Sequence, residues 1–145
     1  MTSYILDASV AAKWFLGPPQ ESLVPQAFDL LQSFTLGECR LLVPDLFWCE
    51  IGNILRKAVK QDRLTESQCM KAIAALEAIQ VVSYPARPLL RNAMRIAGLY
   101  DRSVYDATYA ALAIEMDAVF ITADERLVNS LAARFPVRWL GMFVA

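Results

Sequence analysis

The 145-residue chain contains no histidine. That absence removes serine–histidine–aspartate and cysteine–histidine catalysis, and histidine acid–base chemistry with them. The three cysteines, Cys39, Cys49 and Cys69, are odd in number and lack CxxC spacing. A disulfide framework and a conventional zinc centre are both disfavoured, and the thiols read as reduced, as in a cytoplasmic protein. Only five glycines occur, and none directly follows the first apolar run, which argues against a dinucleotide-binding phosphate loop. No uninterrupted apolar run reaches membrane-spanning length, and no basic segment precedes the apolar N-terminus, so neither a membrane span nor a signal peptide is expected. Positive charge is not in excess either: 14 Lys and Arg stand against 15 Asp and Glu, a net charge of -1. Nucleic acid could be bound only through a local basic patch or with the help of metal ions. Internal repeats and low-complexity segments are absent.

What remains is apolar. With 57% hydrophobic and 20% charged residues, a single domain over residues 1–145 with a substantial core is expected. Short apolar strands at Ser3–Leu6, Arg40–Val43, Val81–Tyr84, Ala118–Thr122 and Val137–Leu140 alternate with helical patterns. The helices are expected over Val10–Leu16, stopped by Gly17-Pro18-Pro19, and over Glu21–Leu36, with Pro25 in the first turn. A third runs from an Asp45 cap to about Gln61, and a fourth opens on the capping box Thr65-Glu66-Ser67-Gln68. The fifth follows Pro88 and ends at Gly98 as its C-cap; a sixth starts at Ser103 and a seventh at Asp124. This alternation predicts a layered α/β fold with a mainly parallel sheet, right-handed crossovers, and chemistry beyond the carboxyl ends of the strands.

The stretch SVYDATYAALAIEMDAVFITAD, Ser103–Asp124, is the centre of the pattern. Its helix is apolar nearly all round and its strand is a continuous apolar run, so both are expected to be buried. Asp106 nevertheless sits in the first turn of that helix, and Asp124 directly after that strand. Carboxylates at the edge of a core need partners, and these two are placed to share a cation. Asp7 likewise ends the first strand, and Glu50 lies on or beside the apolar face of Phe47, Ile51 and Ile54. Each acid also has a plainer reading. Asp7 and Asp124 can be N-caps, Asp106 can complete the cap at Ser103, and Glu50 can snorkel outward. Ser9 can be an ordinary first-turn residue, and Asn53, one turn after Glu50, can support it. Arg56, Lys57, Lys60 and Arg63 form a basic cluster that complements a helix C-terminus, with phosphate contact as the alternative. Arg91, Arg95 and Arg102 form either a solvated face or a phosphate-binding edge. Without histidine, hydrolysis would rest on carboxylates, whose oxygens suit Mg²⁺ or Mn²⁺.

In order along the chain, ILDASVAAKWFL, PDLFWCEIGNIL, SVYDATYAALA and FITADERL resemble the PIN-domain ribonucleases, and among them the VapC-type toxins of bacterial and archaeal toxin–antitoxin pairs. The resemblance spans essentially the whole domain. It implies a PIN-like three-layer fold with strand order 3-2-1-4-5. It also implies that Asp7, Glu50, Asp106 and Asp124 are the catalytic, metal-binding acids, supported by Ser9 and Thr122. The activity implied is Mg²⁺-dependent endoribonuclease cleavage, with Mn²⁺ able to substitute, in which water attacks the phosphodiester and leaves 5′-phosphate and 3′-hydroxyl ends. The partners implied are RNA, a second copy in a homodimer, and a cognate antitoxin whose segment enters a groove near Trp14, Phe15, Phe47 and Trp48. The alternatives are a solitary PIN nuclease of RNA processing and a non-catalytic PIN-like module holding RNA or protein. The latter would be signalled by loss of a core acid, and none is lost. A haloacid-dehalogenase-type phosphatase would need a second aspartate where Ser9 stands. A phosphoacceptor receiver would need paired acids at the end of the first strand and a lysine near the last.

Overall fold

A computed structural model describes residues 1–145. Five strands, β1 (Thr2–Leu6), β2 (Cys39–Pro44), β3 (Val82–Tyr84), β4 (Val119–Thr122) and β5 (Val137–Trp139), form one sheet in the order β3-β2-β1-β4-β5. Every pairing is parallel, so the expected order and direction hold. Seven α-helices connect them: α1 (Ala8–Ala11), α2 (Val24–Thr35), α3 (Leu46–Lys60), α4 (Glu66–Ala78), α5 (Leu90–Tyr100), α6 (Val104–Glu115) and α7 (Glu125–Leu131). The chain winds from β1 outward to β3, then crosses back to β4 and on to β5. Right-handed crossovers therefore put α1 to α4 on one face of the sheet and α5 to α7 on the other.

The reversal of direction falls between β1 and β4, the two central strands, whose apolar residues Tyr4–Leu6 and Val119–Ile121 lie where both faces are covered. Ile5, Leu6, Phe120 and Ile121 are fully buried. Helix α6 lies between the sheet and α5, which is why its buried residues run unbroken from Ala107 to Ala113 rather than along one stripe. Leu6 pairs with Ile121, and the next backbone amide, that of Asp7, donates to the Ile121 carbonyl at 3.2 Å. Asp7 and Thr122 thus leave the sheet side by side.

The first helix starts earlier and ends sooner than the expected Val10–Leu16: α1 spans Ala8–Ala11 and a 3-10 turn over Ala12–Trp14 continues it. Three further helix ends differ from expectation. Helix α2 begins at Val24 rather than Glu21. Glu21 instead turns toward two cations, the buried Lys13 at 3.5 Å and Arg63 at 3.8 Å, and Leu23 takes a left-handed backbone (φ 58°) just before the helix. Helix α5 does not stop at Gly98. Leu99 and Tyr100 continue it, Tyr100 packs edge-on against Phe135, and Asp101 takes the left-handed C-cap (φ 51°, ψ 50°). Asp45 precedes α3 but does not cap it; its Oδ1 accepts from the Ala86 amide at 3.1 Å, tying the start of α3 to the loop after β3. The capping box at Thr65 forms as expected.

Candidate active site

The first acid is positioned by the strands. At the end of β1, the Asp7 Oδ2 accepts from the Thr122 hydroxyl at 2.6 Å, while its Oδ1 lies 3.5 Å from the Ser9 amide at the start of α1. Thr122 is fully buried, and its Oγ1 also accepts from the Asp124 amide at 3.1 Å. Ser9 Oγ accepts from the Ala123 amide at 3.3 Å. These bonds, made by Ser9 and Thr122, lace the exits of β1 and β4 together.

The remaining acids come from helix ends and from α3. Asp124 caps α7, its Oδ1 accepting from Arg126 and Leu127 amides at 3.0 and 3.2 Å. Ser103 caps α6 by accepting from the Asp106 amide at 3.1 Å, which leaves the Asp106 carboxylate free to face outward. There Arg102 Nη2 donates to Asp106 Oδ2 at 3.2 Å and stands 3.7 Å from Asp124 Oδ2. The arginine bridges the two acids. Glu50, in the second turn of α3, projects inward: its Oε1 is buried and has no hydrogen-bond partner. Tyr109 on α6 faces it, stacked on Phe120 with ring centroids 5.1 Å apart, and the Tyr109 hydroxyl is also buried without a partner. The two groups are close enough to influence one another's ionisation without forming a hydrogen bond of good geometry.

Burial pushes the Asp7 carboxyl above its ordinary value; bonds from Thr122 and Ser9 oppose the shift, and the Asp106 charge adds to it. Burial also raises Glu50, with Asp7 and Asp106 adding like-charge repulsion and Tyr109 opposing. The Tyr109 hydroxyl is raised by burial first, then by the charges of Asp7 and Glu50, so it keeps its proton. Asp7, Glu50, Asp106 and Tyr109 therefore share one neighbourhood, and Arg102 joins Asp124 to it.

These oxygens are the donors a hard divalent cation takes, and the orphaned Glu50 oxygen is an acceptor that such a cation would satisfy. The acids are not drawn into a closed shell: no three carboxylates stand at common ligand distance. Arg102 takes up the Oδ2 of both Asp106 and Asp124.

Several expectations are corrected here. Asn53 makes no bond to Glu50; it is exposed and lies among the cations of α3. Arg91 and Arg95 are exposed on α5, and Arg102 does not join them in an edge, being held by the two acids instead. Trp14 is a core residue, its Nε1 donating to the Ala27 carbonyl at 2.8 Å, whereas Phe47 is core as its place on the apolar face of α3 predicted. Of the four aromatics only Phe15 and Trp48 keep accessible surface. One site residue, Tyr109, escaped the sequence reading, and Arg102 was read there for phosphate rather than for the acids it bridges. Tyr109 lies one turn after Asp106, on the same side of α6, and reads as apolar filling. Arg102 lies four residues before Asp106, a spacing that does permit an ion pair once the helix is extended backward.

A PIN domain family profile matches residues 4–130. Ribonuclease VapC9 of Mycobacterium tuberculosis is 34% identical over 98 residues, covering 68% of this chain and 76% of the relative. Among solved structures, a toxin-antitoxin complex from Klebsiella pneumoniae is similar with a TM-score of 0.65 at 15% identity, covering 95% of this chain and 96% of that one. PAE2754 from Pyrobaculum aerophilum is similar with a TM-score of 0.64 at 20% identity, covering 97% and 90%. The two structures share the fold.

Proposed function

Since the chain belongs to the PIN-domain family and, within it, to the VapC ribonucleases, we propose that it is a metal-dependent endoribonuclease, the toxin of a toxin–antitoxin pair. The observation that carries this reading is the buried, unpartnered Glu50 carboxylate oxygen, set among Asp7 and Asp106 at the carboxyl end of the central strands. Asp7 and Glu50 would hold a Mg²⁺ ion, or Mn²⁺ in its place, from the inner side, and Asp106 and Asp124 from the outer side. Such an ion lowers the pKa of a bound water and stabilises the leaving oxygen of a phosphodiester.

The chain's own residues do the rest. Thr122 and Ser9 fix Asp7 and the β4 exit, so the inner donors are set before substrate arrives. Tyr109, locked by stacking on Phe120, keeps its proton and holds an uncharged oxygen beside Glu50. Arg102 offers an approaching phosphate a guanidinium at an otherwise acidic mouth. No histidine is needed as a base, which agrees with the composition. The partners proposed are RNA, a second copy of the chain, and an antitoxin segment. An apolar groove beside Trp48, Ile51 and Ile73 between α3 and α4 is a place where a helical segment could lie.

The test is cleavage. Purified protein is expected to cut structured RNA with Mg²⁺ or Mn²⁺ and to stop in EDTA, and Asp7→Asn and Asp106→Asn each to abolish the activity. Cleavage undiminished in EDTA would overturn the metal mechanism. Light scattering and native co-purification test the partners; a monodisperse monomer that carries no second protein would count against both.

A further inference from the structure

Helix α3 begins at the acids and ends in cations. Arg56, Lys57 and Lys60, with Asn53 and Gln61, line an open hollow of about 460 Å³ that contains no apolar side chain. None of these three cations has an ion-pair partner, whereas Lys13 and Arg63 are paired with Glu21, and Arg102 with Asp106 and Asp124. At 3.6 residues per turn, Lys57 falls about 20° from the direction of Glu50 and Lys60 about 80°. At 1.5 Å per residue they lie about 10 and 15 Å further along the axis. Both are exposed, because they lie off the stripe of α3 that buries Leu55 and Ala58. The cations thus continue, on the solvent side, the line on which Glu50 enters the acids. Arg56 sits at the margin, since it also borders a hollow containing Glu66.

We propose that Lys57 and Lys60, flanked by Arg56, form a phosphate track that holds the RNA strand where it leaves the acidic site. The proposal rests on the ribonuclease reading and adds to it the direction of the substrate. A chain with net charge -1 has little general attraction for RNA, so a local row of unpaired cations leading away from the acids is where backbone affinity can reside. The helix dipole also favours cations in this last turn, and it predicts a different outcome on removal, namely lost stability without lost affinity.

The experiment measures binding of a fluorescent single-stranded RNA to Asp7→Asn protein in EDTA, so that no cleavage intervenes, across a salt series. In that background Lys57→Gln with Lys60→Gln is expected to flatten the slope of log K against log salt by about 1.4, the release of two phosphate contacts on a single strand. The melting temperature should stay within a degree, and Lys57→Arg with Lys60→Arg should restore the slope. An unchanged slope and affinity in the Gln variant overturns the track; so does a fall in melting temperature with affinity retained, which assigns the cations to the helix end. Retained RNA affinity together with lost capture of an acidic protein would assign the surface to that partner instead and also overturns the proposal. Binding that depends on the lysines in a wild-type protein that never cuts RNA would keep the track and overturn the ribonuclease reading.

Discussion

The two halves of the acidic site are built in opposite ways. The outer acids, Asp106 and Asp124, are partly or fully exposed and share Arg102, and Asp124 caps a helix. Their charges are compensated in the folded chain. The inner acids, Asp7 and Glu50, are raised by burial and have no cation; one Glu50 oxygen has no partner of any kind. Helix capping and an exposed ion pair explain the outer pair without reference to chemistry. Nothing structural explains Glu50. A buried carboxylate kept at that disadvantage marks the inner pair as the part of the site shaped for a ligand.

The comparison predicts its largest effects in activity and in the sign of stability changes. Glu50→Gln is expected to lower RNA cleavage at least about a hundredfold, since metal charge stabilisation is worth several kcal/mol. In EDTA the same change should raise stability by about 1 kcal/mol or more, because it replaces a desolvated charge with a neutral amide able to meet the Tyr109 hydroxyl. For a chain of this size that is roughly 2–4 °C in melting temperature. Asp124→Ala should also lose activity, yet it should melt lower, by about 0.5–2 kcal/mol, through loss of the α7 cap. Melting curves of both variants in EDTA decide the matter: if Glu50→Gln melts lower, as Asp124→Ala does, the inner and outer acids are not different in kind.

The sheet was legible in the sequence from its apolar runs, and the acids as candidates from their places: after each central strand, in the first turn of α6, and beside the apolar face of α3. The supporting roles of Ser9 and Thr122 came with the family resemblance, as did the strand order. What the sequence could not show depends on contacts between distant segments. Glu21 leaves its helix because Lys13 and Arg63 draw it away. Gly98 has the composition of a helix end, but Tyr100 finds Phe135 across the fold and the helix runs on. Asn53 has the right spacing to reach Glu50 only if both point inward, and it lies off the stripe of α3 that buries Ile51, Leu55 and Ala58, in solvent. The inner-outer distinction itself was invisible, since it requires Tyr109 against Glu50 and Arg102 across Asp106 and Asp124.

A smaller effect is expected from pH. The folded-state values of Asp7 and Glu50 lie above the ordinary 3.8 and 4.5. Between those ordinary values and the raised ones the folded chain binds more protons than the unfolded chain, so metal-free stability increases as pH falls through the raised values and the cost returns as pH rises. Other ion pairs respond to acid as well, so the quantity to measure is the difference between wild type and Glu50→Gln in EDTA. The variant's advantage should shrink as pH falls through the raised Glu50 value toward the ordinary 4.5. With Mg²⁺ the trend should reverse for wild type, whose metal-dependent gain grows with pH as the ligands lose their protons. Parallel curves for the two proteins in EDTA would show that Glu50 carries no raised value.

The smallest effect concerns Arg102, and it tests whether the outer acids are merely paired or are reserved. Arg102→Gln removes a partly exposed ion pair, so in EDTA it should cost no more than about 1 kcal/mol. If Arg102 occupies places that a cation needs, its removal should let Mg²⁺ bind more tightly, even though the empty protein is slightly weaker. At saturating metal a twofold tighter site adds about 0.4 kcal/mol, near 1 °C in melting temperature. The Mg²⁺-induced shift should therefore be larger in Arg102→Gln than in wild type, while the starting temperature is lower. These two changes have opposite signs, so one series of melting curves over Mg²⁺ concentration separates them. A smaller Mg²⁺ shift in the variant would mean that Arg102 helps to assemble the acids around the ion, and that the bridge it makes belongs to the working site rather than to the empty one.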